Sequence, residues 1–332
     1  GGGWAQGVLR LLDESVAVVA VPAVHWCDGS LVDLALISHH IQQIPPNKRP
    51  LFVVDGTQSV GAVPINVNKL KIDFLACSVH KWLLGPYGMS LVYIAPHLCM
   101  DVGENGVEGG QIQWQPLDQH ERGRVGSSLP QWDHTIPMDE RGHYPTALYQ
   151  DARRCDCGGR PNPVLIPMIR RSLELVLRLG PGRISERVGA LTRHIARKLS
   201  GVLGNRLLLR SAGSRGHFIG IRFAPNTMNT LNTKNTTGIT TKNTTANTDR
   251  IENTQTDTGN TVDLHLTVPL PLLQTYLQNM HIYTAVRGGW LRIAPYVYST
   301  QEDGDRFVEG FLQGVGVIAK GYGETSRQNR CK

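Results

Sequence analysis

Ser78-Val79-His80-Lys81-Trp82-Leu83-Leu84-Gly85-Pro86-Tyr87-Gly88 decides how this chain is read. A hydroxyl, an imidazole and a lysine fall together, just ahead of a glycine-rich turn. The run before them, Phe74-Leu75-Ala76-Cys77, is apolar and reads as a buried strand. An earlier run, Leu51-Phe52-Val53-Val54, has the same character and ends in Asp55-Gly56-Thr57-Gln58-Ser59-Val60-Gly61. Both segments put ionisable side chains at strand ends, where a rigid sheet can hold an acid and a base in fixed geometry.

Outward from these two segments the pattern alternates. Val16 to Val21 is a short β-branched run, the mark of a buried parallel strand. Leu31 to Gln43 has helical periodicity, with Asp33 near its start. Ser90 to Ile94 reads as a further strand. Strand and helix in alternation predict an α/β fold with a mostly parallel sheet. Residues 4–14 read as the end of an amphipathic helix. Asn162-Pro163-Val164 to Gly180 reads as a loop entering a long helix, with Pro167 in its first turn, and helices are also expected over Ile184 to Leu203, Leu270 to Asn279 and Gln301 to Val317. Two strand-like runs lie between Leu207 and Phe223, and Ile282 to Val286 pairs with Leu291 to Ala294 as strands. The expected division is a large domain over 1–165 and a smaller C-terminal α+β domain over 166–332. Residues 226–262 are built of Asn-Thr repeats and cannot furnish a core, so a disordered insertion is expected there.

Composition excludes several classes. The 332 residues are 40% hydrophobic and 18% charged, the balance of a globular protein. No run reaches the roughly 18 apolar residues of a membrane helix, and no stretch reads as a secretory leader. A cytoplasmic protein with reduced thiols is expected. The net charge of +7 is spread along the chain rather than gathered in a patch, so no nucleic-acid partner is expected. Cys155-Asp156-Cys157 does not have the usual zinc spacing, and no metal site is expected.

The segments around Asp55 and Lys81 resemble the class V aminotransferase family, in which an Asp-x-x-Gln follows a buried strand and a Ser-x-His-Lys precedes a glycine-rich turn. The resemblance implies fold type I of the pyridoxal phosphate (PLP) enzymes. It implies that Lys81 carries PLP as a Schiff base, that Asp55 holds the pyridine nitrogen protonated, and that Gln58 bonds the ring hydroxyl oxygen. Ser78 and His80 would hold the phosphate. Leu291-Arg292-Ile293-Ala294 with Tyr298, Thr300 and Asp303 is similar to the family's C-terminal motif, which makes Arg292 the grip on the substrate α-carboxylate. His25, in His25-Trp26-Cys27-Asp28-Gly29, falls on a loop that faces cofactor or substrate. Gly158-Gly159-Arg160-Pro161-Asn162 is similar to a loop that reaches the partner subunit's phosphate, which implies a homodimer and a cofactor-binding role for Arg160.

The residue chemistry supports these roles. A neutral lysine amine attacks an aldehyde, and burial favours the neutral form. A guanidinium binds a carboxylate in a bidentate fork. The implied activity is transamination, elimination or epimerisation at the α-carbon of an amino acid. The alternative is a catalytically impaired scaffold or fragment, because the family's upstream phosphate loop and ring-stacking residue have no counterpart in the chain. Desulfurases of the family carry a cysteine just before the carboxylate-binding arginine. The interval Arg287 to Leu291 has none, so persulfide chemistry by that route is not expected.

Overall fold

The computed structural model describes residues 3–99, 140–142, 152, 162–209, 216–224 and 268–328. Arg160 and the Asn/Thr-rich insertion lie outside the described residues. The chain divides into two units. The first comprises Gly1–Arg193, Arg210–Gly220 and Ala294–Thr300; the second comprises His194–Leu209, Ile221–Ile293 and Gln301–Lys332.

The first unit opens with α1 (Trp4–Leu9), β1 (Val18–Pro22) and α2 (Leu34–Gln43), followed by β2 (Leu51–Asp55), β3 (Phe74–Ser78) and β4 (Ser90–Ile94). The strand order is β1-β2-β3-β4. The pairs β1–β2 and β2–β3 are parallel, and β3–β4 is antiparallel. The antiparallel return follows from length, since the residues between β3 and β4 form a turn too short for a parallel crossover. Fold class α/β is therefore observed, with a mostly parallel sheet.

Local chemistry sets the element ends. The first helix stops at Leu9 rather than running to residue 14, and at its far side the Asp13 carboxylate accepts from the Ser15 amide at 2.8 Å. The next helix begins at Leu34 rather than Leu31. Leu31 is held extended by a bridge to Val24, and Asp33 caps the helix by accepting the Leu36 N–H at 2.9 Å. Phe52, Val54, Ile37 and Ile41 are sealed from solvent and pack sheet against α2. Each such side chain contributes roughly 2–3 kcal/mol by leaving water.

Two further helices follow, α3 (Leu165–Leu179) and α4 (Pro181–Leu203). Asn162 starts α3 by accepting the amides of Val164 and Leu165, and Gly180 ends it in a left-handed conformation at φ +81°. Ile169, Val176, Ile184 and Val188 pack with Val79, Trp82, Leu83 and Phe218 in a second core cluster.

The second sheet has the order β5-β6-β8-β7, from β5 (Leu207–Leu208), β6 (Ile219–Phe223), β7 (Ala285–Arg287) and β8 (Trp290–Ile293). Helices α5 (Leu270–Asn279) and α6 (Gln301–Gln328) complete the chain. Helix α6 extends well past Val317, where the apolar periodicity fades. No helix among the described residues is long and apolar enough to cross a membrane.

In the second unit Asp305 accepts from Lys198 at 2.8 Å and from His194 at 2.6 Å. These partners, Lys198 first, hold its carboxyl below the usual carboxylate range. A depressed folded pKa gives stability that is present above the unfolded carboxylate value of about 3.9 and is lost as pH falls through the folded value. Asp305 is partly exposed, so the contribution is below about 1 kcal/mol. Asp305→Asn should flatten the acid limb of a stability–pH curve by that amount. Asp33→Ala, which deletes the α2 cap, should cost about 1 kcal/mol, read from a urea midpoint.

Candidate active site

Because β1, β2 and β3 are parallel and in register, their carboxyl ends lie along one sheet edge. Pro22 pairs with Asp55, and Asp55 with Ala76. His25 follows β1, Asp55 to Gln58 follow β2, and Ser78 to Lys81 follow β3. In open α/β sheets this edge is where ligands bind. The structure thus brings His25, Asp55, Gln58, Ser78, His80 and Lys81 onto the loops of one edge. Arg292 lies in the second unit, on β8, where it alternates with buried Leu291 and Ile293. Arg160 is outside the described residues.

The turn that carries Lys81 is pinned from beneath. Val79, Trp82 and Leu83 are buried. The Trp82 indole N–H donates to Gln58 Oε1 at 3.4 Å, and the His217 ring packs edge-on against the indole at 4.1 Å. Gly85 N–H donates to the Val79 carbonyl at 2.8 Å and closes the turn. Gly61 has φ +98°, and a Cβ there would meet the Trp82 carbonyl oxygen at 2.5 Å. Leu84 is held left-handed at φ +59°, a conformation costly for leucine that the surrounding packing sustains. Its N–H donates to the Lys81 carbonyl at 3.1 Å.

Above this base the polar groups are arranged along the edge. Asp55 is exposed, and one carboxylate oxygen accepts the Thr57 N–H at 2.8 Å. Thr57 Oγ1 in turn accepts the Ser78 N–H at 3.4 Å, tying the ends of β2 and β3 together. Ser78 Oγ is enclosed and has no hydrogen-bond partner among the described residues. An enclosed, unsatisfied hydroxyl costs about 1–3 kcal/mol, so it is a position a ligand oxygen would relieve. His80 stacks on Tyr87, ring centroids 4.3 Å apart. His25 bonds Asp28 at 2.9 Å and lies against Trp4. The Lys81 side chain is exposed rather than buried, so the described residues do not supply the desolvation expected of it.

Sequence reasoning did not single out Thr57, Trp82, His217 or Tyr296 as part of the site. Thr57 had a signal, the Asp-x-Thr turn in which short polar side chains bond nearby backbone. Tyr296 lies 5.7 Å from Trp82 between ring centroids, its hydroxyl is enclosed, and burial pushes its phenol up. No local pattern announces the Trp82 contacts with His217 and Tyr296, which join residues distant in the chain.

The comparisons with known proteins agree with the fold. A cysteine desulfurase from Thermococcus onnurineus NA1 superposes with a TM-score of 0.57 at 17% identity, covering 91% of this chain and 60% of that one. The cystine C-S lyase C-DES, in complex with its product cysteine persulfide, gives 0.61 at 16% identity, covering 93% and 64%. The fold is fold type I of the PLP enzymes. Residues 5–121 match the family model for aminotransferase class-V. By that match the segment is similar to the class V aminotransferase family.

Among curated relatives, an uncharacterized aminotransferase YcbU of Bacillus subtilis is 37% identical over 89 residues, 27% of this chain and 23% of that protein. Isopenicillin N epimerase of Streptomyces clavuligerus is 29% identical over 178 residues, 53% and 39% respectively. Cysteine desulfurase IscS of Photorhabdus laumondii is 38% identical over 134 residues, 38% and 29%. The matched segments thus span well under half the length of these relatives.

Gly61→Ala forces a side chain into a left-handed position against a backbone carbonyl. It should destabilise the first unit by about 1–3 kcal/mol, measured by denaturant unfolding.

Proposed function

We propose that this chain binds pyridoxal phosphate at Lys81 and transforms an amino acid at its α-carbon. The observation that carries this reading is the gathering of Asp55, Ser78 and Lys81 at one carboxyl edge of a parallel sheet. The enclosed Ser78 hydroxyl fits a phosphate oxygen, and the Asp55 carboxylate at a strand end fits a protonated ring nitrogen. When bound, the cofactor supplies an electron sink for negative charge at the substrate α-carbon.

The chain's own residues supply the rest. Lys81 Nζ is the attachment point and, once released, moves the α-proton. Asp55 holds positive charge opposite its carboxylate. Gln58, its amide oxygen engaged by Trp82, keeps a fixed orientation toward the ring hydroxyl. Ser78, His80 and Arg160 bind phosphate. Arg292 grips the α-carboxylate, and His25 faces the substrate. Asp55 and Lys81 are both exposed in the single chain, and a site open to water weakens every charge interaction within it. A homodimer that covers this edge, in the cytoplasm, is part of the same proposal.

Transamination, elimination and epimerisation share these steps. The β7–β8 connection argues against a thiol nucleophile ahead of Arg292. Arg287 pairs with Trp290 across Gly288 and Gly289, both at positive φ, which makes a two-residue hairpin turn with no thiol. A second reading, a scaffold that does not catalyse, is favoured by the exposure of Lys81.

PLP added to the purified chain should produce an absorbance band at the visible edge that Lys81→Ala abolishes. Ser78→Ala should weaken cofactor binding by about 10–100-fold, the worth of one hydrogen bond to a charged group. A chain with no band supports the scaffold reading. L-cysteine added to the loaded protein should leave no persulfide sulfur bound to the chain; a protein-bound persulfide would overturn the hairpin argument.

A further inference from the structure

We propose that His25 is a second proton-accepting group of this site and that buried Asp28 is its positioning residue, an inference that rests on the amino-acid reading above. The Asp28 side chain is fully buried, and Oδ1 collects three contacts. Ser30 N–H donates at 3.0 Å, Ser30 Oγ lies at 2.6 Å, and His25 Nδ1 lies at 2.9 Å. An oxygen that receives a backbone N–H is an acceptor, so Nδ1 must be the donor. A neutral imidazole that donates from Nδ1 presents a lone pair at Nε2.

The ring is also clamped. The Trp4 indole lies against it at 4.7 Å, and Trp4 Nε1–H donates to Ser30 Oγ at 3.1 Å. His25 N–H donates to the Ser30 carbonyl, and Gly29 N–H donates to the His25 carbonyl, both at 2.9 Å. The side chain keeps 21% of its surface exposed. Among the described residues, the Asp28 carboxylate from its own loop bonds the ring, and the neutral Trp4 indole of α1 lies against it. Carboxylate and a partly exposed imidazole form an oriented base at the end of β1, beside the strand that carries Asp55.

Such a base has a defined task. An amino acid arrives as an ammonium ion and has no nitrogen lone pair until it loses a proton. The proton passes from that ammonium nitrogen to His25 Nε2, leaving a neutral amine and an imidazolium whose charge the Asp28 carboxylate balances. The imidazolium then returns the proton to solvent. A loop-stabilising role for Asp28 alone would not need an accessible ring.

The test has two arms on the full chain. In the apo chain, ¹⁵N NMR should find neutral His25 protonated at Nδ1. Asp28→Asn, whose amide can donate to Nδ1, should shift the proton toward Nε2. In the PLP-loaded chain, the spectral response to L-alanine or L-cysteine should slow about 100-fold in His25→Gln at about pH 7. Most of that loss should be recovered at about pH 9, where solution supplies more neutral amine. Wild-type His25 protonated at Nε2, a His25→Gln rate equal to wild type, or an equal loss at both pH values would overturn the proposal. His25→Gln serves if Asp28→Asn does not fold. A wild-type chain with no cofactor band, or with no response to either amino acid, overturns the parent reading and this step with it.

Discussion

The antiparallel return from β3 to β4 is the constraint on which the site depends. Ser78 and Ser90 are register partners, so everything between them must reverse direction within one compact turn. Val79, Trp82 and Leu83 are driven inward by the apolar surface of α3 and α4, and that burial turns Lys81 outward. Gly61 leaves room for the Trp82 carbonyl, and Gly85 closes the turn on Val79. The same packing that stabilises the first unit therefore presents the lysine at the edge where Asp55 and Ser78 already stand.

Much of this was readable in the sequence because it is local. Short apolar runs mark β1, β2 and β3, and the residues that follow them form the candidate site. Asp33 and Gly180 mark helix ends by capping and by left-handed backbone, as their types suggest. The helix from Leu34 was expected three residues earlier, since periodicity cannot see that Leu31 bridges Val24. The exposure of Lys81 was not readable, because it depends on what covers the sheet edge. Nor was the Trp82–His217 contact, which joins residues far apart in the chain.

Relatives that share the class V signature are named for different outcomes, an aminotransferase, an epimerase and desulfurases. That spread has a physical basis. In the proposed reading, the strand-end acid and the lysine act at the α-carbon, and the groups around them select the outcome. In this chain the β7–β8 hairpin turns on two glycines, and the loop after β1 offers an imidazole oriented by a buried carboxylate.

The central claim is that Lys81 is the cofactor's attachment point. Borohydride reduction of the chain in the presence of pyridoxal phosphate, followed by peptide mass mapping, tests it most directly. The account predicts one dominant pyridoxyl modification, on the peptide containing Lys81, and its loss in Asp55→Ala at low cofactor concentration. Modification scattered over surface lysines, or absent from Lys81, would contradict it.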